Sequence, residues 1–242
     1  MQGGTGRGVG GDGRAQPHVV EMAHGGIVGI MRITKFGHAC VRIEHDGTTV
    51  VLDPGMFTDA EAVDGADAVL ITHEHPDHYL PDNLLAADAP VFTIEAVAAK
   101  IREDTPSLAE RITVVAPGEA FDVGGLPVTA VGEMHAVIHP ELTRLFNSGY
   151  VLTAGDAKIY HPGDSLTEPG EEIDVLLLPS SAPWLKASEA IDFARAVKAP
   201  RNLAIHDRVY SDAGHGILEM QMNQFLPKAG QEYLRRADGE DL

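Results

Sequence analysis

The run Thr72-His73-Glu74-His75-Pro76-Asp77-His78 places three histidines and an aspartate within six consecutive residues. Side chains two apart on an extended segment point the same way, so His73 and His75 can grip one cation from one side. Pro76 then turns the chain, and Asp77 and His78 can face a second cation. Imidazole suits zinc, iron, manganese and copper, and a carboxylate adds a hard oxygen donor. The competing reading is a histidine-rich surface turn; the buried-looking strand 68–71 directly before the run argues against it. One motif cannot close two metal sites, so the rest of the chain must supply ligands.

The pattern His73-x-His75-x-Asp77-His78 resembles the signature of the metallo-β-lactamase-fold hydrolases. The resemblance implies an α/β protein, a four-layer αββα sandwich, with three more ligands at downstream strand ends: a histidine, an aspartate and a histidine. His135, Asp164 (in His161-Pro162-Gly163-Asp164-Ser165) and His206 (in Ala204-Ile205-His206-Asp207) occur in that order. On this resemblance His73, His75 and His135 hold one cation, Asp77, His78 and His206 hold another, and Asp164 bridges both. Each late position has a competitor. His139 rivals His135, but His135 follows a strand end. Asp156 rivals Asp164 but sits in a hairpin turn, where aspartate is favoured for backbone reasons. His215 rivals His206 but lies in Gly214-His215-Gly216 and reads as loop surface.

Further residues resemble one branch of that family. Residues 33–40 (Ile-Thr-Lys-Phe-Gly-His-Ala-Cys) with Val51-Leu52-Asp53-Pro54-Gly55 are similar to the branch containing the ascorbate-6-phosphate lactonase-like enzymes. Here Asp53 orders the loop under the metals, while His38 and His161 read either as structural histidines or as supports of the ligands. Trp184 reads as a loop anchor more than a pocket wall. Arg208 and Tyr210 are candidate contacts for an anionic substrate.

The chemistry implied is hydrolysis by two divalent metal ions. A cation pair lowers the pKa of a shared water from 15.7 towards about 7, giving a bridging hydroxide at neutral pH. Asp77 is the candidate catalytic residue, orienting that hydroxide and passing a proton. No Gly-x-Ser-x-Gly elbow supplies an alternative serine nucleophile. The expected reaction is cleavage of an ester, lactone or phosphodiester bond in a small cytoplasmic substrate. Every implied donor is nitrogen or oxygen, so zinc is the default and Mn²⁺ or Fe²⁺ remains open. A non-catalytic metal-binding or regulatory member of the fold, and an RNA-processing nuclease, are the alternatives. Completeness of the ligand set argues against the first.

Charge argues against the second. The 242 residues carry 18 Lys+Arg against 36 Asp+Glu, a net charge of −18. Non-specific binding to nucleic acid or to anionic membranes needs the opposite balance, so neither partner is expected. Composition is that of an ordinary globular protein, 44% hydrophobic, and a single cysteine, Cys40, excludes a disulfide framework. No apolar run approaches the roughly 20 residues that span a bilayer. Oligomeric state is not legible.

The elements that must position these residues are mostly short strands. Residues 1–30 hold ten glycines and read as a flexible tail whose charges cancel, leaving 31–242 as a single domain. Strands are expected at 32–36, 40–44, 49–52, 68–71, 91–94, 112–115, 120–123, 127–131, 150–153, 158–161, 175–178 and 203–205. His45-Asp46-Gly47 and Ala154-Gly155-Asp156-Ala157 read as hairpin turns. Helices are expected at 95–103, at 217–225 and from a Ser188 cap to about Lys198. Strands should dominate the first half and αβ alternation the second.

Overall fold

The computed structural model describes residues 31–242, so the expected tail lies outside the described residues. Two mixed sheets face each other. The first runs β1 (Met31–Lys35), β2 (Val41–His45), β3 (Thr48–Leu52), β4 (Ala68–Ile71), β5 (Val91–Thr93) and β6 (Ile112–Val114) in spatial order. Its first three strands are antiparallel and the rest parallel. Asp46 at φ 49° and Gly47 at φ 85° make the tight turn between β2 and β3 that the Asp-Gly pair promised.

The second sheet contains β7 (Ala120–Val123), β8 (Leu126–Val131), β9 (Gly149–Ala154), β10 (Ala157–His161), β11 (Val175–Pro179), β12 (Arg201–Ile205) and β13 (Glu232–Leu234). It is antiparallel from β7 to β10 and parallel from β10 to β13. Helices α1 (Pro81–Ala87) and α2 (Glu95–Asp104) pack on the first sheet, and α3 (Ala187–Val197) and α4 (Asp212–Phe225) on the second.

Alternation along buried strands produces these layers. In β4, Ala68 and Leu70 face the opposite sheet while Val69 and Ile71 face α1 and α2. In β11, Val175 and Leu177 point between the sheets and Leu176 and Leu178 point at α3 and α4. A strand covered on both faces is apolar at every position, which is why both read as unbroken hydrophobic runs. The result is the αββα sandwich expected from the sequence.

Some local expectations fail. Helix α1 was not anticipated; Pro81 at its first turn, where a missing N–H costs nothing, was the available signal. With α1 and α2 in place, αβ alternation marks the first half as well as the second. Helix α3 is capped by Lys186, whose N–H donates to Glu189 at 3.0 Å, and not by Ser188. Helix α4 begins at Asp212 behind Ser211, because the surrounding packing overrides the low helix propensity of Gly214 and Gly216. His215 is therefore a buried helical residue bonded to the Asp207 carbonyl at 2.6 Å, not loop surface. Strand β13 also escaped the sequence pattern.

Candidate metal centre

All seven candidate ligands come together where strands end. His73 and His75 follow β4, His135 follows β8, Asp164 follows β10 and His206 follows β12. Together with His38 they form two adjoining groups, each with donor atoms within 4.8 Å of one another: His73, His75, His135 and Asp164 in one, and His38, Asp77, His78 and His206 in the other. Asp164 belongs to both in distance, with Oδ1 3.1 Å from His78 Nε2 and Oδ2 3.3 and 3.2 Å from Nε2 of His135 and His206. The rivals stay away: His139 is exposed and accepts the Glu141 N–H, and Asp156 is exposed in its hairpin.

Backbone constraints hold the two loops under this cluster. Asp53 (φ 47°) is fully buried and accepts the Thr72 N–H at 2.8 Å, the Thr72 hydroxyl at 2.7 Å and His78 Nδ1 at 2.7 Å. It thus ties the loop together through Thr72 and His78. Gly55 is required here, because a Cβ would lie 2.0 Å from the Asp77 carbonyl oxygen. Gly163 is required beside Asp164, where a Cβ would lie 2.3 Å from Asn147 Oδ1. Asn147 in turn accepts the Asp164 N–H at 3.0 Å. His161 accepts the Gly163 N–H at 3.0 Å and bonds the Ala39 carbonyl, supporting the turn from behind.

Hydrogen bonds at the far nitrogen decide which atom each histidine presents. His78, His135 and His206 donate Nδ1–H to Asp53, to the Ala136 carbonyl and to the Ser181 carbonyl. Thr72 donates its hydroxyl to Asp53, so it accepts from His73 Nδ1 at 3.0 Å. In each case Nε2 is left facing inward, the arrangement by which outer partners orient metal-binding imidazoles. Nε2 of His78, His135 and His206 and Oδ1 of Asp164 are buried with no hydrogen-bond partner. Orphaned buried polar atoms are costly, and a divalent cation satisfies a set of nitrogens and carboxylate oxygens such as these. The residues fit the group.

His38 is the member that sequence reasoning left undecided. Its Nδ1 accepts the Arg208 N–H at 3.2 Å, so Nε2 carries the proton and donates it to Asp77 Oδ2 at 3.0 Å. A nitrogen holding that proton orients Asp77 and is not free to ligate. Trp184 also gains a role beyond anchoring: its Nε1–H donates to Asp164 Oδ2 at 3.0 Å, and its ring stands edge-on to His135 and His206. Arg208 and Tyr210 do not reach inward as suggested. The Arg208 guanidinium pairs with Asp238, and Tyr210 packs against His215.

Electrostatics differ between the groups. Burial pushes the His73 imidazole well below its usual range and lowers His75 as well. Burial also disfavours charge on His78 and His206, but Asp164 with Asp53, and Asp164 with Asp77, outweigh it. His78 ends well above its usual range and His206 is pushed up to about 9. Burial alone would raise Asp77 and Asp164, yet the neighbouring histidines hold both carboxyls far below the normal range.

Residues 32–206 match the family model of the beta-lactamase superfamily domain, and the chain belongs to that superfamily. It is a metal-dependent hydrolase of that class. Protein Rv0786c of Mycobacterium tuberculosis is 40% identical over 195 residues, covering 77% of this chain and 89% of that protein. A UPF0173 metal-dependent hydrolase of Enterococcus faecalis is 33% identical over 172 residues, covering 62% of this chain and 73% of that one. Among solved structures, Igni18, a metallo hydrolase of Ignicoccus hospitalis, aligns with TM-score 0.68 at 17% identity over 88% of this chain and 97% of its own. YhfI of Bacillus subtilis, a metallo-beta-lactamase fold protein, aligns with TM-score 0.67 at 16% identity, covering 88% and 98%. Both likenesses concern the fold. Among the described residues, no helix is long and apolar enough to cross a membrane.

Proposed function

We propose that the chain is a dinuclear hydrolase acting on an ester, lactone or phosphodiester bond of a small cytoplasmic substrate. His73, His75 and His135 would hold one divalent cation and Asp77, His78 and His206 the other, with Asp164 within reach of both. The observation that carries this reading is the position of Asp164, within 3.1 to 3.3 Å of inward-facing nitrogens from both groups. Zinc is the default occupant of this all-nitrogen-and-oxygen set, and Mn²⁺ and Fe²⁺ suit the same donors.

A cation pair bound there would supply a water of lowered pKa and would polarise the oxygen of the scissile bond. The protein's own groups do the rest. Asp164 is 3% exposed and stays an acceptor throughout, whereas the Asp77 side chain is 24% exposed and reaches the solvent side of the site. His38 fixes Asp77 through Oδ2, which leaves Oδ1 to hold the proton released by the attacking water and to pass it to the leaving oxygen. Trp184 and the imidazole rings shield the inner side from bulk water. Buried Ser180 and Ser181 bond the backbone carbonyls of Ile205 and His206, so neither hydroxyl is presented as a nucleophile.

A metal-loaded activity screen across lactones, phosphodiesters and thioesters tests the proposal. Turnover that needs the cation and disappears in His73→Ala supports it. Protein that binds two cations yet hydrolyses nothing in any class would instead support a binding or regulatory role.

A further inference from the structure

Strand register places a second feature beside the metal centre. Ile71, Thr93 and Val114 lie in one row across β4, β5 and β6. His73 stands two residues beyond that row on β4. Ile94 and Glu95 occupy the corresponding places beyond β5, and Val115 and Ala116 those beyond β6. Adjacent strands are spaced by about 4.8 Å, so these positions are roughly one and two strand widths from the His73 segment. A groove of ≈ 540 Å³ opens there, lined by Ile94, Val114, Ala116 and Phe146 among others.

Its other wall comes from the second sheet. Gly132 and Glu133 line the groove and lead directly to His135, while Phe146 leads directly to Asn147, which holds the Asp164 turn. The His135 N–H to Leu145 carbonyl bond, 3.0 Å, ties these two segments together. No candidate ligand itself lines the groove, but its walls are the chain neighbours of the His135 and Asn147 segments, at the carboxyl ends of parallel strands where α/β sheets bind ligands. Its surface is apolar. Phe146 is 50% and Val114 is 37% exposed, although both are large hydrophobic residues. Of the charged side chains in its lining, Glu95 is paired with Arg102 at 3.0 Å, which leaves the Glu133 carboxylate to disfavour an anionic occupant.

We infer that this groove is a substrate subsite for an uncharged alkyl or aryl tail, with the scissile ester or lactone held at the metals. The enzyme therefore selects hydrophobic esters or lactones over small polar ones. This rests on the dinuclear reading above, so the test must separate the two. Alkyl hydroxamates do so, because the head chelates the cations and only the tail reports the groove.

Isothermal titration calorimetry of the zinc-loaded full chain compares acetohydroxamate with octanohydroxamate. Burying successive methylenes strengthens binding, so the longer tail should bind at least about tenfold tighter. Phe146→Asp and, independently, Ala116→Trp should reduce that ratio to about one while leaving acetohydroxamate binding unchanged. Equal affinities in the wild type, or a ratio that survives both variants, would overturn the subsite. A concentration-dependent dimer that Phe146→Asp dissolves would also overturn it, assigning the groove to a second copy of the chain. Failure of both hydroxamates to bind would overturn the dinuclear reading and the subsite with it.

Discussion

The two halves of the metal centre are built from different materials. His73, His75 and His135 stand just past strand ends, and none of them has a positive φ. The other half uses His38 at φ 48° and His206 at φ 53°, joined by a hydrogen bond from the His206 N–H to the His38 carbonyl at 2.8 Å. Residues in that left-handed region carry strain that surrounding packing must hold. Charge separates the halves too. Burial has already stripped the proton from His73 and His75, whereas His78 and His206 keep theirs between carboxylates. A cation entering the first half meets free lone pairs on His73 and His75, and one entering the second must expel protons from His78 and His206. On the proposed dinuclear reading, the first half is thus the firm anchor, and the second, with partly exposed Asp77, is the working side.

Breaking the anchor should have the largest effect. His73→Ala removes the ligand nearest the strand, and turnover should fall below detection while circular dichroism keeps the wild-type fold. Global unfolding would mean that the metals are structural. Disturbing the working side should cost less. Asp77→Asn removes the proposed proton acceptor and should lower kcat by about 10²- to 10⁴-fold, measured with saturating metal. Loss of activity in proportion to lost metal alone would deny Asp77 its proton-handling role.

His38→Asn sharpens the contrast, since asparagine tolerates a positive φ but cannot reach Asp77 as the imidazole does. Affinity for the second cation should drop by about 10- to 100-fold, and that for the first should be unchanged, as read by chelator competition. The pH dependence should divide in the same way. His206 is raised to about 9 and must lose its proton to bind a cation, so second-cation affinity should rise with pH up to about that value. First-cation affinity should be nearly flat from neutral pH upward. Calorimetric titration in buffers of different ionisation enthalpy counts the protons released at each step. The smallest effect is expected for Trp184→Phe. It deletes one hydrogen bond to the Asp164 carboxylate, worth about 1.5 kcal/mol at the low end for a charged acceptor, so metal should dissociate about tenfold faster.

Legibility cut across the two halves, because His73, His75, Asp77 and His78 share one local run. The His-x-His spacing and the strand before it are local, and a period of two on an extended segment determines which side chains share a face. His135, Asp164 and His206 could be placed only through the family pattern, because their convergence depends on sheet pairing far along the chain. His38 and Trp184 were the hardest to read. Whether a histidine donates to a carboxylate or binds a metal depends on what its other nitrogen meets, and for His38 that is the Arg208 N–H, 170 residues away. Trp184 carries no spacing signal toward Asp164. The four layers were read through the family pattern, and the apolar runs of β4 and β11 agree with them; the 217–225 part of α4 was legible, while its start was obscured by two glycines, and His215 with it.

Elemental analysis tests the central claim most directly. Zinc-loaded chain, freed of excess metal by gel filtration at about pH 8.5, should carry two equivalents, falling to one near pH 6 as protons reclaim the second half. A chain that retains less than one equivalent at the higher pH, or a His73→Ala, His206→Ala double variant that still carries two, would contradict it.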